Sequence, residues 1–163
     1  THPSGKSLVS YDSFFYPLDR ISNLNRIYGR WGFSEYQCVV PKNGGAETMR
    51  HMLETAAKSG CPSFLTGLKT FGKLNDNLLS FPMEGYTLAL NFPIREEMFS
   101  LFAPFDQIVI RAGGRIYLTK DACMSKAVFD AGYPRAEEFR KYKRQIDPGN
   151  KFRSLQSMRL GLY

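Results

Sequence analysis

Tyr86-Thr87-Leu88-Ala89-Leu90-Asn91-Phe92 is the stretch on which the fold turns. Its strict alternation places Tyr86, Leu88, Leu90 and Phe92 on one side of a strand and Thr87, Ala89 and Asn91 on the other. The first side is built for a core. The second is small and polar, which in mid-sheet points to a face left open for something to lie on it.

The neighbours of this strand come from both directions. Upstream, Phe64 to Phe71 reads as a strand with Phe64 and Leu68 on one side and Leu65, Lys69 and Phe71 on the other, joined to Tyr86 by the turn-rich connection Gly72 to Gly85. Before it, Met49, Met52, Leu53 and Ala56 fall at helical spacing, with Glu47 suited to the positive first turn and Gly60 then Pro62 as the stop. Phe33 to Val40 is a first strand, with Tyr36, Cys38 and Val40 facing one way and Glu35, Gln37 and Val39 the other, stopped by Pro41 and Gly44-Gly45. Downstream, Met98, Phe102, Phe105, Val109 and Ala112 form one helix face that runs across Pro104, so a kink is expected there, and Gly113-Gly114 ends it. Arg115 to Lys120 reads as a short strand, Asp121 as the cap of a helix from Ala122 to about Ala131, and Pro134 to about Gln145 as a last helix before Asp147-Pro148-Gly149-Asn150.

From Phe33 to Lys120 the order is strand, helix, strand, strand, helix, strand. This is the ferredoxin-like βαββαβ core of an α+β domain: an antiparallel sheet with both helices on the face bearing Leu88 and Leu90, followed here by C-terminal helices. By alternation the opposite face collects Glu35, Gln37, Leu65, Lys69, Phe71, Thr87, Ala89, Asn91, Tyr117 and Thr119, with Lys120 at its rim. Such a mixture is a poor core and a plausible ligand floor. Residues 1–32 are expected to be a linker and an irregular aromatic-rich approach, 33–131 the sheet domain, and 132–163 a helix and a tail that must dock on something to be ordered.

The totals bound the reading. A chain of 163 residues with 43% hydrophobic residues can bury the core of one domain. No apolar run approaches the roughly 18 residues of a membrane span, and Thr1 to Ser7 is not of signal-peptide type, so a soluble chain is expected, with a targeting segment outside it left open; the cysteine usage points to a reducing, cytoplasmic compartment. Three cysteines without CxxC spacing suggest neither a disulfide framework nor a zinc site, and Cys38 alternates into the core. Gly5-Lys6-Ser7 lacks the earlier glycine and preceding strand of a phosphate-binding loop, and no GxGxxG follows any strand, so no dinucleotide-binding unit is expected in this chain. His51 stands alone on its helix and His2 in the tail, which gives neither a metal site nor a nucleophilic triad. The net charge of +7 admits nucleic acid, anionic lipid or a phosphorylated ligand, although the dense run Arg140-Lys141-Tyr142-Lys143-Arg144, following Glu137 and Glu138, reads as a solvated helix face.

Several short motifs recur in one order. Phe15-Tyr16-Pro17-Leu18-Asp19, Asn25-Arg26-Ile27-Tyr28-Gly29, Tyr36-Gln37-Cys38-Val39-Val40-Pro41, Lys69-Thr70-Phe71-Gly72, Leu79-Ser80-Phe81-Pro82, Asn91-Phe92-Pro93-Ile94, Gly113 to Asp121 and Asp147-Pro148 resemble the C-terminal half of FAD-linked oxidoreductases of the vanillyl-alcohol-oxidase type, in particular the decaprenylphosphoryl-ribose and sugar-lactone oxidases. The resemblance is collinear from about Phe14 to the end. It implies a substrate (cap) domain with a tail returning to a separate N-terminal FAD-binding domain of the same protein. The implied reaction is oxidation of a sugar-type secondary alcohol, free or carried on a polyprenyl phosphate, by hydride transfer to flavin. By resemblance Lys120 is catalytic and reaches flavin and substrate, Tyr117 is a flavin-side tyrosine, and Gln37, Lys69, Phe71, Asn91 and Leu18 line the substrate side. Peripheral membrane contact stays open and nucleic acid is not expected.

The departures fall on the substrate side. Ala89 and Asn91 stand where close relatives have Cys and Asp, Thr87 and Thr66 where they have Asn, Glu35 where they have Gln and Leu24 where they have Trp. The reaction class is therefore better supported than the substrate. The competing class is a non-catalytic ferredoxin-like module binding RNA or a small molecule, but an RNA-binding sheet needs paired aromatics on its middle strands, and Thr87, Ala89 and Asn91 supply no stacking rings.

Overall fold

A computed structural model describes residues 5–163; His2 and the first four positions of the expected linker lie outside the described residues. Four strands, β1 (Phe33–Pro41), β2 (Leu65–Phe71), β3 (Gly85–Pro93) and β4 (Arg115–Ile116), form one sheet in the order β2-β3-β1-β4. Every pairing is antiparallel. The α+β ferredoxin-like topology follows as the alternation of β3 requires, with β3 and β1 central.

Helices α2 (Gly45–Lys58) and α3 (Glu96–Arg111) lie over one face of the sheet. Met49 and Met52 from α2 and Met98, Phe102, Phe105 and Val109 from α3 join Tyr36, Cys38, Leu88, Leu90 and Phe92 in the core. The Cys38 Sγ approaches Met52 Sδ at 3.6 Å, and burial pushes the thiol up to about 12, so this cysteine packs as a neutral side chain. The ladder closes tightly at its end. A Cβ on Gly85 would stand 1.9 Å from the Val40 carbonyl oxygen, so no other residue fits there without moving backbone.

Several boundaries differ from the sequence reading. The approach segment is not wholly irregular: α1 (Tyr11–Phe15) and a 3₁₀ turn (Leu24–Tyr28) precede β1. Leu53 is 40% exposed, on the flank of α2 rather than under it. The helices cover β3, β1 and β4 but not edge strand β2, which starts at Leu65 and leaves Leu68 exposed although it pairs with Leu88. β4 ends at Ile116, and Tyr117 to Lys120 is a tight turn closed by the Lys120 amide donating to the Tyr117 carbonyl at 3.0 Å.

Asp121 caps no helix. Its carboxylate accepts the Cys123 and Met124 amides, while Ser125 caps α4 (Lys126–Gly132) by accepting from the Val128 amide. The basic run in α5 (Ala136–Ile146) is only half solvated. Lys141 and Tyr142 face water, but Arg140 is buried, donates to the Gly161 and Leu160 carbonyls and pairs with Asp130, and Lys143 pairs with Asp147. The tail is ordered because it docks on the sheet domain itself: after α6 (Leu155–Arg159), Leu160 and Leu162 enter the same core.

One acid sits inside this packing. Asp106 of α3 is buried and accepts from the Tyr36 hydroxyl at 2.8 Å; burial raises its carboxyl from 3.8 to about 6, opposed by that bond and reinforced by Asp121. The folded chain therefore holds this proton more tightly than the unfolded chain, and the acid withdraws stability as pH rises from about 4 to 6. Asp106→Asn keeps an acceptor for Tyr36 and removes the charge. Denaturant titrations should show it about 1–2 kcal/mol more stable than the parent at pH 7.5 and level with it at pH 4; an equal effect at both pH values would show that Asp106 does not titrate in this window. Gly85→Ala should cost more than about 2 kcal/mol or block folding, whereas Gly72→Ala should shift stability by less than about 0.5 kcal/mol, because a Cβ on Gly72 meets nothing within 4 Å.

Candidate functional site

The register fixes what the uncovered face of the sheet presents. Its middle row runs Gly67, Ala89, Gln37, and the Tyr117 amide extends it by donating to the Gln37 carbonyl at 2.8 Å. One row on lie Lys69, Thr87, Val39 and Arg115; on the other side lie Leu65, Asn91 and Glu35. Two residues with almost no side chain in the centre make the face a shallow trough.

The trough is closed at one end. Phe81, from the connection between β2 and β3, stacks on Tyr117 with ring centroids 4.3 Å apart and meets Phe71 edge-on at 5.8 Å. Arg115 anchors that connection by donating to the Ser80 carbonyl at 2.7 Å. Thr87 is 1% exposed and Val39 is buried, so the face is not open throughout as alternation alone suggested. The uncovered part runs from Gly67 and Ala89 toward Asn91, Glu35 and Lys120.

Polar groups surround that part. Lys120 Nζ stands 3.4 Å from Glu35 Oε2, with side-chain exposures of 38% and 18%. The ammonium is the more exposed partner, so the pair is open to water and screened on the lysine side. The Gln37 amide nitrogen donates to Thr87 Oγ1 at 3.2 Å, which orients the side chain and leaves its oxygen free to accept. Asn91 is buried, its backbone amide donating to Ser63 Oγ at 3.0 Å, and its side-chain amide has no hydrogen bond among the described residues.

Lys120, Tyr117, Gln37, Phe71 and Asn91 are thus brought to one face, and Lys69 joins them by register as an exposed side chain. Leu18 is not on the sheet; it lies in the exposed turn after α1. Tyr117 and Lys120 belong to a turn rather than a strand, which bends the lysine toward Glu35. Phe81, Ser80 and Arg115 were missed. Alternation carries no information about a turn-rich connection, although Arg115, two residues before Tyr117, was within its reach.

Among the described residues no group of three or more His, Cys, Asp or Glu side chains could hold a metal ion. The donor set instead suits a flat polar ring such as a flavin: an ammonium at the rim, the Gln37 and Asn91 amides on the floor and Tyr117 at the closed end. It does not suit a pyrophosphate. Of the described helices only α2 opens on paired glycines, and the Cβ position of Gly45 is filled by the Tyr86 ring at 2.8 Å, so that turn serves packing rather than a phosphate cradle.

Over 149 residues, 91% of its length, the chain is 37% identical to the decaprenylphosphoryl-beta-D-ribose oxidase of Mycolicibacterium smegmatis, of which it spans 32%. Over 132 residues, 80% of its length, it is 35% identical to the uncharacterized protein in mprA 5'region of Streptomyces coelicolor, of which it spans 36%. No family model matches the chain. It spans about a third of the length of these curated relatives, and is similar along nearly its whole extent to part of an oxidase, consistent with the C-terminal part of the FAD-linked oxidases that its motifs resemble.

Proposed function

We propose that this chain is the substrate-side domain of a longer FAD-dependent oxidoreductase that oxidises a secondary alcohol of a sugar-type substrate. The observation that carries the reading is the convergence of Lys120, Tyr117, Gln37 and Asn91 on one uncovered sheet face, in a chain 37% identical to an oxidase whose name specifies a polyprenyl-phosphate pentose. When bound, the flavin supplies the chemistry by accepting hydride from the carbinol carbon.

The residues of this chain bind, orient and stabilise. Gly67 and Ala89 leave room for a ring over the centre of the sheet, and Phe71 and Tyr117 offer aromatic walls beside it. The free oxygen of Gln37 and the unpaired amide of Asn91 can bond hydroxyl groups. Lys120 would set a positive charge beside the ring that takes up the hydride, on which negative charge grows, and such a charge contributes most in the transition state. A polyprenyl-phosphate sugar is one substrate of this class.

Lys120→Met, in the complete protein that contains this chain, keeps most of the stem and removes the charge. Stopped-flow reduction of the bound flavin should slow by roughly 100-fold, about 3 kcal/mol, while Lys141→Met on the solvated side of α5 should change little. A Lys120→Met protein that folds, holds FAD and reduces at the parental rate would remove the lysine from the mechanism. In a separate titration, FAD added to the isolated chain should give no saturable change in flavin fluorescence; micromolar binding would place the cofactor site within these residues.

A further inference from the structure

The turn that carries Tyr117 and Lys120 lies beyond β4, which ends at Ile116, and only the Tyr117 amide bond to the Gln37 carbonyl continues the backbone pairing with the sheet. Its remaining backbone and Asp121 side-chain fixings come largely from α6, far along the chain. Gln156 Nε2 donates to the Leu118 carbonyl at 2.6 Å and to Asp121 Oδ2 at 3.1 Å. Arg159 Nη2 donates to Asp121 Oδ2 at 2.8 Å, and its Nη1 donates to the Met124 carbonyl. Behind these contacts α6 is itself secured. A Ser154–Ser157 capping box starts it, Leu160 and Leu162 anchor its end in the core, and Arg140 holds the Leu160 and Gly161 carbonyls.

The charges on this turn are sorted. The Asp121 carboxylate directly follows Lys120 in sequence and its side chain is 1% exposed, so its charge must be matched locally. Arg159, Gln156 and the Cys123 and Met124 amides take all of it. Lys120 is thereby left to face Glu35 and the trough. Without the Arg159 guanidinium, the nearest competing cation for Asp121 in sequence would be Lys120 itself.

We infer that Arg159 and Gln156 are positioning residues for Lys120: by clamping the 118–121 turn and neutralising Asp121, α6 keeps the lysine ammonium directed at the uncovered face. The clamp stands on its own geometry; only its consequence for turnover rests on the function proposed above.

Two measurements decide it. In the chain itself, Arg159→Met should speed amide hydrogen exchange at residues 118–124 by about tenfold or more while the β3 amides keep their protection, and Arg159→Lys should restore most of the difference. Faster exchange throughout β3, or none in the turn, would overturn the clamp. Should Arg159→Met fail to fold, Gln156→Met removes the Leu118 and Asp121 bonds while leaving the Arg159–Asp121 pair, and the same local pattern is expected.

In the complete flavin-containing protein, Arg159→Met should slow flavin reduction by about tenfold without altering the KM for substrate, and the exposed control Arg153→Met should not slow it. On a Lys120→Met background the Arg159→Met change should add nothing, because both act through one ammonium. Equal slowing on both backgrounds, or no slowing on the parent, would overturn the positioning role. If Lys120→Met alone leaves reduction untouched, the function proposed above falls, and the exchange measurement still decides the clamp.

Discussion

The β1–β3 ladder, running without a break from Phe33 opposite Pro93 to Pro41 opposite Gly85, fixes which atoms see the core and which see the uncovered face. A slip of β1 by one residue against β3 would turn Tyr36 and Cys38 out of the helix-covered core and bring Glu35 and Gln37 into it; a slip of β3 would do the same to Leu88 and Leu90 against Ala89 and Asn91. Either alternative buries polar side chains without partners and exposes core residues. The register is therefore set by the same alternation that assembles the site, and the carbonyl of Val40 pressed against Gly85 locks its end.

Attached to this rigid ladder are two pieces that lie outside its strands. The connection carrying Phe81 is drawn onto the sheet by the Arg115 bond to the Ser80 carbonyl and by stacking on Tyr117. The Lys120 turn is held from α6 through Asp121. The first attachment rests on a guanidinium donating to a backbone carbonyl, and the second on a buried carboxylate accepting from Arg159, Gln156 and two backbone amides, so either is costly when a partner is lost. Rigid strands thus supply the floor, and charge-assisted bonds set the two walls beside the uncovered face.

The fold and part of the site were legible because period-two and period-four patterns survive in the sequence wherever one face is buried. Tyr36, Cys38, Leu88, Leu90, Met52, Phe102 and Phe105 all fall where those patterns place them. What was not legible lacks such a pattern. Asp121 looks like a helix cap, but a buried carboxylate takes whichever donors the fold delivers, and the tail delivers Arg159. The basic run of α5 looks uniformly solvated, yet Arg140 lies on the helix side facing the returning tail. Leu18, assigned by resemblance alone, stands apart from the sheet because its segment forms its own short helix and turn. Glu35 and Phe81 show the complementary failure: each residue could be noticed, but its partner could not be inferred from one strand.

On the function proposed above, the uncovered sheet face, with Lys120 at its rim, is the side of this chain that meets flavin and substrate. A crystal structure of the complete protein with FAD bound tests it most directly. The expected result has Lys120 Nζ within hydrogen-bonding distance of the flavin ring, with the row from Gln37 to Ala89 turned toward the reacting edge. A flavin held against the helix-covered side of the domain, or a Lys120 still paired with Glu35 and facing bulk water in the complete protein, would contradict it.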